Sequence, residues 1–330
     1  QKAGIDKMAF DMAYDLKPHD ICSLSLWSGI VKDEKTQKVS EMHGEQYAEF
    51  LKGAASQEYA GLVINEIYDD PKLMNLSGKT AVITGSTSGI GLGIARKLAE
   101  AGADIVLNSF TSKPEDHQLA NALASEFSVE ARYCSADMRD PKSCRALIEN
   151  LQSCDILINN AGIQHVAPID TFPIEKWDEI IAINLSAAFH TSAVALGLMR
   201  KAGWGRIINI SSAHGLTASP YKSAYIAAKH GVIGLTKTTA LETAKENITA
   251  NAICPGYVLT PLVEAQIPDT MRKYDMSREE VIKKVMLERQ PSRQFASVEQ
   301  LGGTCVFFCS DAADQITGTT LSVDGGWTAL

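Results

Sequence analysis

Tyr225 and Lys229 stand four residues apart in Ser223–Thr239, a run of helix formers, and Ser212 lies thirteen residues before the tyrosine. Positions i and i+4 share one face of a helix, so the ammonium can lie beside the phenol. A free tyrosine has a pKa of about 10, and a close cation favours the phenolate and moves it towards neutral pH. A hydroxyl such as Ser212 can then bind the substrate oxygen that gains or loses the proton. By itself Tyr-x-x-x-Lys is commonplace, usually a surface tyrosine and an unrelated lysine. Its meaning depends on what the rest of the chain brings to it.

The elements that would position the pair begin near Leu76. Thr80–Thr84 is a short β-branched run without charge, as expected of a strand buried on both faces of a parallel sheet. Thr84-Gly85-Ser86-Thr87-Ser88-Gly89-Ile90-Gly91 follows, then helix formers over Leu92–Ala101. Strand, glycine-rich turn and helix together mark a phosphate site. The glycines allow a tight turn and close approach, and the helix N-terminus offers unpaired N–H groups to a pyrophosphate.

A second strand, Asp104–Leu107, ends in Asn108-Ser109-Phe110. An acid there would hold ribose hydroxyls and an arginine would take a 2′-phosphate. Neither is present, so NAD is expected rather than NADP, with Phe110 walling the adenine side. Lys113 is the one residue that could overturn this. Asp137, after the strand Ala131–Ala136, either caps a turn or binds the adenine amino group, and the second is favoured. Asp155–Ile158 is a fourth strand running into Asn159-Asn160-Ala161-Gly162, and Ile207–Ser212 another buried strand ending in hydroxyls.

Taken in order and spacing, Thr84–Gly91, Asn159–Gly162, Ser212, Tyr225–Lys229 and Pro255-Gly256 resemble the short-chain dehydrogenase/reductase family. The resemblance covers essentially all of residues 76–330. It implies a Rossmann-type α/β fold, a doubly wound parallel sheet flanked by helices. It also implies a tetrad in which Tyr225 is the general acid/base and Ser212 positions the carbonyl. Lys229 would hold the nicotinamide ribose and lower the tyrosine pKa, and Asn184 would hold a water in the proton relay. Cofactor contacts are implied at Gly85, Thr87, Ser88, Gly89, Ile90, Phe110, Asp137, Met138, Asn160, Gly162, Ile183, Pro255 and Val258, besides Tyr225 and Lys229. Members usually form homotetramers through helices of the catalytic half.

Within the family the resemblance is closest to the branch that oxidises short D-3-hydroxy acids of the 3-hydroxybutyrate type. It implies that Gln164, His214, Lys222 and Gln266 grip the substrate carboxylate. The spacing agrees: Lys222 is three residues before Tyr225, and His214 two after Ser212. Alone, each is more often a surface lysine or a satisfied loop histidine. Two departures stand out. Tyr257 replaces a tryptophan usual after Pro-Gly, and Ile148–Asp155 is about one helical turn shorter than the family pattern. Pro268–Gln290, charged and helical in spacing, is either a lid over the substrate or an ordinary surface helix. The rival readings are a 3-oxoacyl-thioester reductase, which has no need of carboxylate donors, and a non-catalytic scaffold.

Residues 1–75 are of another kind. Shifting residues 1–31 by 227 positions aligns Lys2 with Lys229, Gly4 with Gly231, Ala13 with Ala240, Ile21 with Ile248 and Gly29 with Gly256. The segment thus resembles the C-terminal half of a second such domain, an incomplete, non-catalytic α/β appendage without glycine loop or tyrosine. It holds 8 lysines, no arginine and 13 acids, so five of the net −8 charges lie there. That acidity argues against a nucleic-acid partner. The seven cysteines show no metal spacing, and Cys305 and Cys309 read as buried reduced thiols. No apolar run is read as spanning a bilayer, and the expected location is the cytoplasm, with a mitochondrial matrix left open.

Overall fold

The computed structural model describes residues 75–264 and 267–330. The internal repeat, Lys2, the division of the chain at residue 75 and Gln266 lie outside the described residues.

Seven parallel strands form one sheet in the order β3-β2-β1-β4-β5-β6-β7. They are β1 Thr80–Ile83, β2 Asp104–Ser109, β3 Ala131–Ser135, β4 Ile156–Asn159, β5 Gly205–Ile210, β6 Ile248–Pro255 and β7 Thr320–Val323. The central strands β4, β5 and β6 are buried at every position, which is why they lack the alternation of a half-exposed strand; their polar residues Arg206, Asn209, Thr249 and Asn251 are buried too.

Neighbouring residues of each strand face opposite layers. Ala81 and Ile83 pack with Ile94, Leu98, Leu123, Leu301 and Phe308, under α1 (Gly89–Glu100), α2 (Pro114–Phe127) and α10 (Val298–Cys309). Val82 packs with Leu147, Ala195, Met199 and Ala240, under α3 (Pro141–Glu149), α5 (Ala187–Ala202) and α6 (Ser223–Thr243). The expected doubly wound fold is therefore the observed one. The strand order reverses between β1 and β4, and at such a switch point the carboxyl ends of the strands open a crevice.

Three boundaries differ from the sequence reading. Helix α1 starts at Gly89, three residues before the apolar periodicity begins, so Gly91 lies in its first turn. Pro268–Gln290 is not one helix. It breaks between α8 (Ile267–Tyr274) and α9 (Arg278–Glu280), where Asp275 takes φ +51° and Ser277 caps the restart. Finally, Ile174–Ala202 is long and apolar enough, by length and composition, to cross a membrane, which the sequence reading did not register. It comprises α4 (Ile174–Ile181), a π-helical turn Ala182–Ser186 and α5. Thr191 in this stretch donates to Asn159 Oδ1 at the end of β4 (2.7 Å), which seats the helix on the sheet.

In the shortened Ile148–Asp155 stretch Leu151 and Cys154 turn inward and are buried.

Candidate active site

The glycine loop is built around close approach. Gly85 has φ +62°, and a Cβ there would lie 2.9 Å from Ala161 Cα. A Cβ on Gly91 would lie 2.4 Å from the Gly85 carbonyl oxygen. Asn160 holds this geometry by donating from Nδ2 to the carbonyls of Thr84 and Gly85, both at 2.9 Å. This is the bracing role expected of the Asn-Asn-Ala-Gly segment. Ser88, at the N-cap of α1, makes no side-chain cap, and the first turn holds no acid. The first-turn N–H groups thus carry no side-chain acceptor where a pyrophosphate would sit, and the residues fit a dinucleotide.

A cleft of about 560 Å³ opens over the switch point. Its walls gather most of the expected cofactor residues: Gly85, Thr87, Ser88, Gly89, Ile90, Phe110, Asp137, Met138, Asn160, Gly162, Ile183 and Pro255. Ser212, Tyr225, Lys229 and Gln164 line the same cleft. Val258 does not. It is buried in the core and bridges Ala296 across a short parallel pair.

Asn108, at the end of β2, is a brace rather than a ribose ligand. Its Nδ2 donates to the carbonyls of Cys134 (3.0 Å) and Ala136 (3.2 Å). At Asp137 the turn-capping alternative is realised. Its carboxylate accepts from the Arg139 backbone N–H (2.9 Å) and from the guanidinium Nη2 (2.7 Å). That arginine holds the carboxyl below its usual range. Arg139 also lines the cleft, and sequence reasoning missed it. Lys113 lies at the exposed start of α2, off the cleft wall.

The tetrad comes together as expected, with different contacts. Asn184 lies in the π-helical turn, a feature common at functional sites. Its side chain clamps Ile163, accepting from the backbone N–H and donating to the carbonyl, each at 2.9 Å. Lys229 is buried and donates from Nζ to the Ile210 carbonyl at 2.7 Å. A Cβ on Gly162 would be 3.6 Å from Asn184 Oδ1 and 3.7 Å from Lys229 Nζ, so these groups meet at one point. Burial brings the lysine down to about 8. Burial also raises the Tyr225 phenol, with the facing Ser212 hydroxyl pulling the other way. Nζ lies 5.7 Å from the Tyr225 ring centroid and donates to the Ile210 carbonyl, and the Ser212 hydroxyl draws the phenol down.

Lys229 gives a pH test of this burial. Its folded pKa lies below its ordinary 10.5, so above about 8 the unfolded chain binds the extra proton and stability rises with pH. Cys254, raised from 9.0 to about 11, runs the other way from about 9 upward, which leaves the interval between 8 and 9 for the lysine. Urea unfolding of the NAD-free protein across that interval is expected to show a stability gain that Lys229→Met lacks. Parallel pH dependences in the two proteins would refute the burial argument.

Beyond Ser212 and Tyr225 lies an aromatic corner. Trp327 stacks on Tyr257 (centroids 5.7 Å, 14°) and meets His214 edge-on at 5.0 Å. His214 donates its backbone N–H to Ser212 Oγ (3.1 Å), and its Nε2 lies 2.9 Å from Ser219 Oγ. Burial, reinforced by Lys222 and Arg289, lowers His214 to about 4, so its ring is neutral at physiological pH. Lys222 Nζ lies 6.0 Å from the centroid of the Tyr257 ring. The structure thus brings His214 and Lys222 to one side of the Ser212–Tyr225 pair. Trp327 and Ser219 were not singled out from the sequence: Trp327 meets His214 only through packing of distant segments, and Ser219 reaches it through a loop contact that follows no helical or strand spacing. This is a proton-transfer pair placed between a dinucleotide cleft and a half-buried cationic corner.

A family model described as enoyl-(acyl carrier protein) reductase matches residues 85–328. The chain belongs to the short-chain dehydrogenase/reductase family. It is 55% identical over 255 residues to the D-beta-hydroxybutyrate dehydrogenase of Rhizobium meliloti, covering 76% of this chain and 99% of that one. With the enzyme of the same name from Cupriavidus necator it shares 51% over 258 residues, covering 77% and 99%. Among solved structures, it resembles a gluconate 5-dehydrogenase from Burkholderia cenocepacia in complex with NADP and tartrate. That match has TM-score 0.71 and 36% identity, and covers 79% of this chain and 99% of the other. Members of this family act on small molecules with a nicotinamide cofactor, and the short-chain dehydrogenase domain here is an oxidoreductase of that kind.

Proposed function

We propose that the chain catalyses reversible oxidation of D-3-hydroxybutyrate to acetoacetate with NAD. The observation that carries this is the corner holding His214 and Lys222 beside Ser212 and Tyr225. A neutral imidazole and a half-buried ammonium there suit a small carboxylate whose 3-hydroxyl reaches the phenol. Two relatives more than half identical bear the name of that activity. Gln164 lines the cleft and supports the same grip.

When bound, the nicotinamide supplies the hydride acceptor. The chain's own groups handle the proton and the fit. Ser212 donates to the substrate oxygen, and Tyr225 takes the hydroxyl proton during oxidation and returns it during reduction. The Lys229 ammonium favours the phenolate and binds ribose. With the Asn184 side chain committed to Ile163, its main chain is left to hold a relay water.

NAD is preferred to NADP because, among the described residues, those that line the cleft at the end of β2, Asn108, Ser109 and Phe110, include no cation. The guanidinium of Arg139 is occupied by Asp137, with Glu179 also at 3.6 Å. All of this chemistry is assigned to residues 76–330, and removing residues 1–74 is expected to leave turnover intact. Exposed Phe189 and Leu241 (52% and 80%) on α5 and α6 support assembly as a homotetramer, which light scattering of the full chain would check. Six described cysteines are free thiols, in keeping with a reducing compartment such as the cytoplasm.

The deciding assay is NAD reduction with D-3-hydroxybutyrate, with the L-isomer and NADP as controls. Turnover of the D-acid with NAD is expected. No turnover by protein that binds NAD would refute the proposal, and preference for NADP and acyl thioesters would replace it with a thioester reductase.

A further inference from the structure

Arg289 follows the π-helical stretch Val281–Met286, far in sequence from the tetrad. Its Nη1 donates to the Ala218 carbonyl and to Ser219 Oγ, both at 3.1 Å. Ser219 Oγ is in turn 2.9 Å from His214 Nε2, and the His214 backbone N–H reaches Ser212 Oγ at 3.1 Å. A continuous chain of polar contacts therefore runs from an exposed guanidinium to the serine beside the reacting oxygen.

The charge in this corner is unbalanced. Among the described residues, neither Arg289 nor Lys222 has a carboxylate at salt-bridge distance. Arg289 and Lys222 repel enough to lower the lysine further than burial alone. The charge of Arg289 also reaches Tyr257, whose ring lies 6.0 Å from Lys222 Nζ. Two converging cations without an anion leave a positive potential that a small acid would neutralise.

We propose that Arg289 is a positioning residue for the anionic end of the substrate. It orients the His214 imidazole through Ser219 and, with Lys222, makes a two-cation corner that an acid fills and a neutral alcohol does not. Because Arg289 comes from the segment after α9, that segment contributes to the substrate site. This inference rests on the proposed reaction of a short 3-hydroxy acid.

The test is steady-state kinetics of the full chain with NAD and D-3-hydroxybutyrate, together with the dissociation constant of NADH from fluorescence. R289Q is expected to raise KM for the acid about tenfold, the scale of one charge-assisted contact, with kcat and NADH affinity nearly unchanged. R289K keeps the charge and a donor and should recover most of the loss. S219A keeps both cations but cuts the link to His214, and should raise KM by a smaller factor.

An unchanged KM in R289Q, or R289K no better than R289Q, overturns the assignment. So does a fall in kcat or NADH binding matching the rise in KM, which marks a merely structural role. Wild-type KM in S219A removes the relay through Ser219. A wild-type chain that does not oxidise the acid at all overturns the proposed reaction instead.

Discussion

Tyr225→Phe is expected to reduce kcat by about a thousandfold or more, within the range assigned to a positioned acid or base, while NAD still binds. The phenyl ring keeps the shape of the site, including the edge contact with His214 at 6.1 Å. What disappears is the only atom on that ring able to accept the hydroxyl proton. Burial raises the phenol above its ordinary value, so at neutral pH it is protonated and ready to serve as the acid for ketone reduction. Oxidation needs the phenolate, and its rate should therefore increase with pH in the wild type. Single-turnover measurements of NADH formation, with NAD affinity determined separately, would check this. A variant retaining a tenth or more of the wild-type rate would mean that another group carries the proton.

The tyrosine and lysine were legible because their relation is local. Four residues on one helix fix a shared face whatever the tertiary structure does. The glycine loop was legible for the same reason, since strand, turn and helix are contiguous. Buried strands of a parallel sheet announce themselves by lacking charge, and so the fold followed. What failed to show were the partners each group chooses. Lys229 was expected beside the phenol, and its Nζ also donates to the Ile210 carbonyl of β5, a partner no spacing showed. Asp137 was expected to face adenine; it lines the cleft, and its carboxylate also pairs with an arginine two residues on that the sequence reading did not foresee. Asn184 spends its amide on Ile163, a contact made possible by a π-helical turn that no periodicity reveals. Arg289 and Trp327 meet the loop of His214 and Ser219 only after separate segments pack together. Non-local contacts of this kind leave no spacing to read.

Gly91→Ala tests the other half of the site, and its effect should be nearly as large. The added methyl carbon would stand 2.4 Å from the Gly85 carbonyl oxygen, 2.5 Å from Asn160 Nδ2 and 2.9 Å from Ser86 Cα. None of these is the free end of a flexible chain. Two are backbone atoms, and the amide is fixed by its bonds to the Thr84 and Gly85 carbonyls. The loop must therefore move, and with it the N–H groups that would receive the pyrophosphate. Overpacking of this kind costs about 1–3 kcal/mol, enough to lower Tm by several degrees. NAD affinity should fall about a hundredfold, because every phosphate contact depends on the displaced backbone. Gly197→Ala is the matched control. It lies at an exposed position of α5, a Cβ there meets nothing within 4 Å, and a glycine in a helix interior is worse than alanine by about 0.5–1 kcal/mol. Calorimetry should then show the two substitutions moving Tm in opposite directions, with titration showing that only the first weakens NAD. If Gly91→Ala bound NAD as the wild type does, the close packing of loop, helix and Asn160 could not be what shapes the phosphate site.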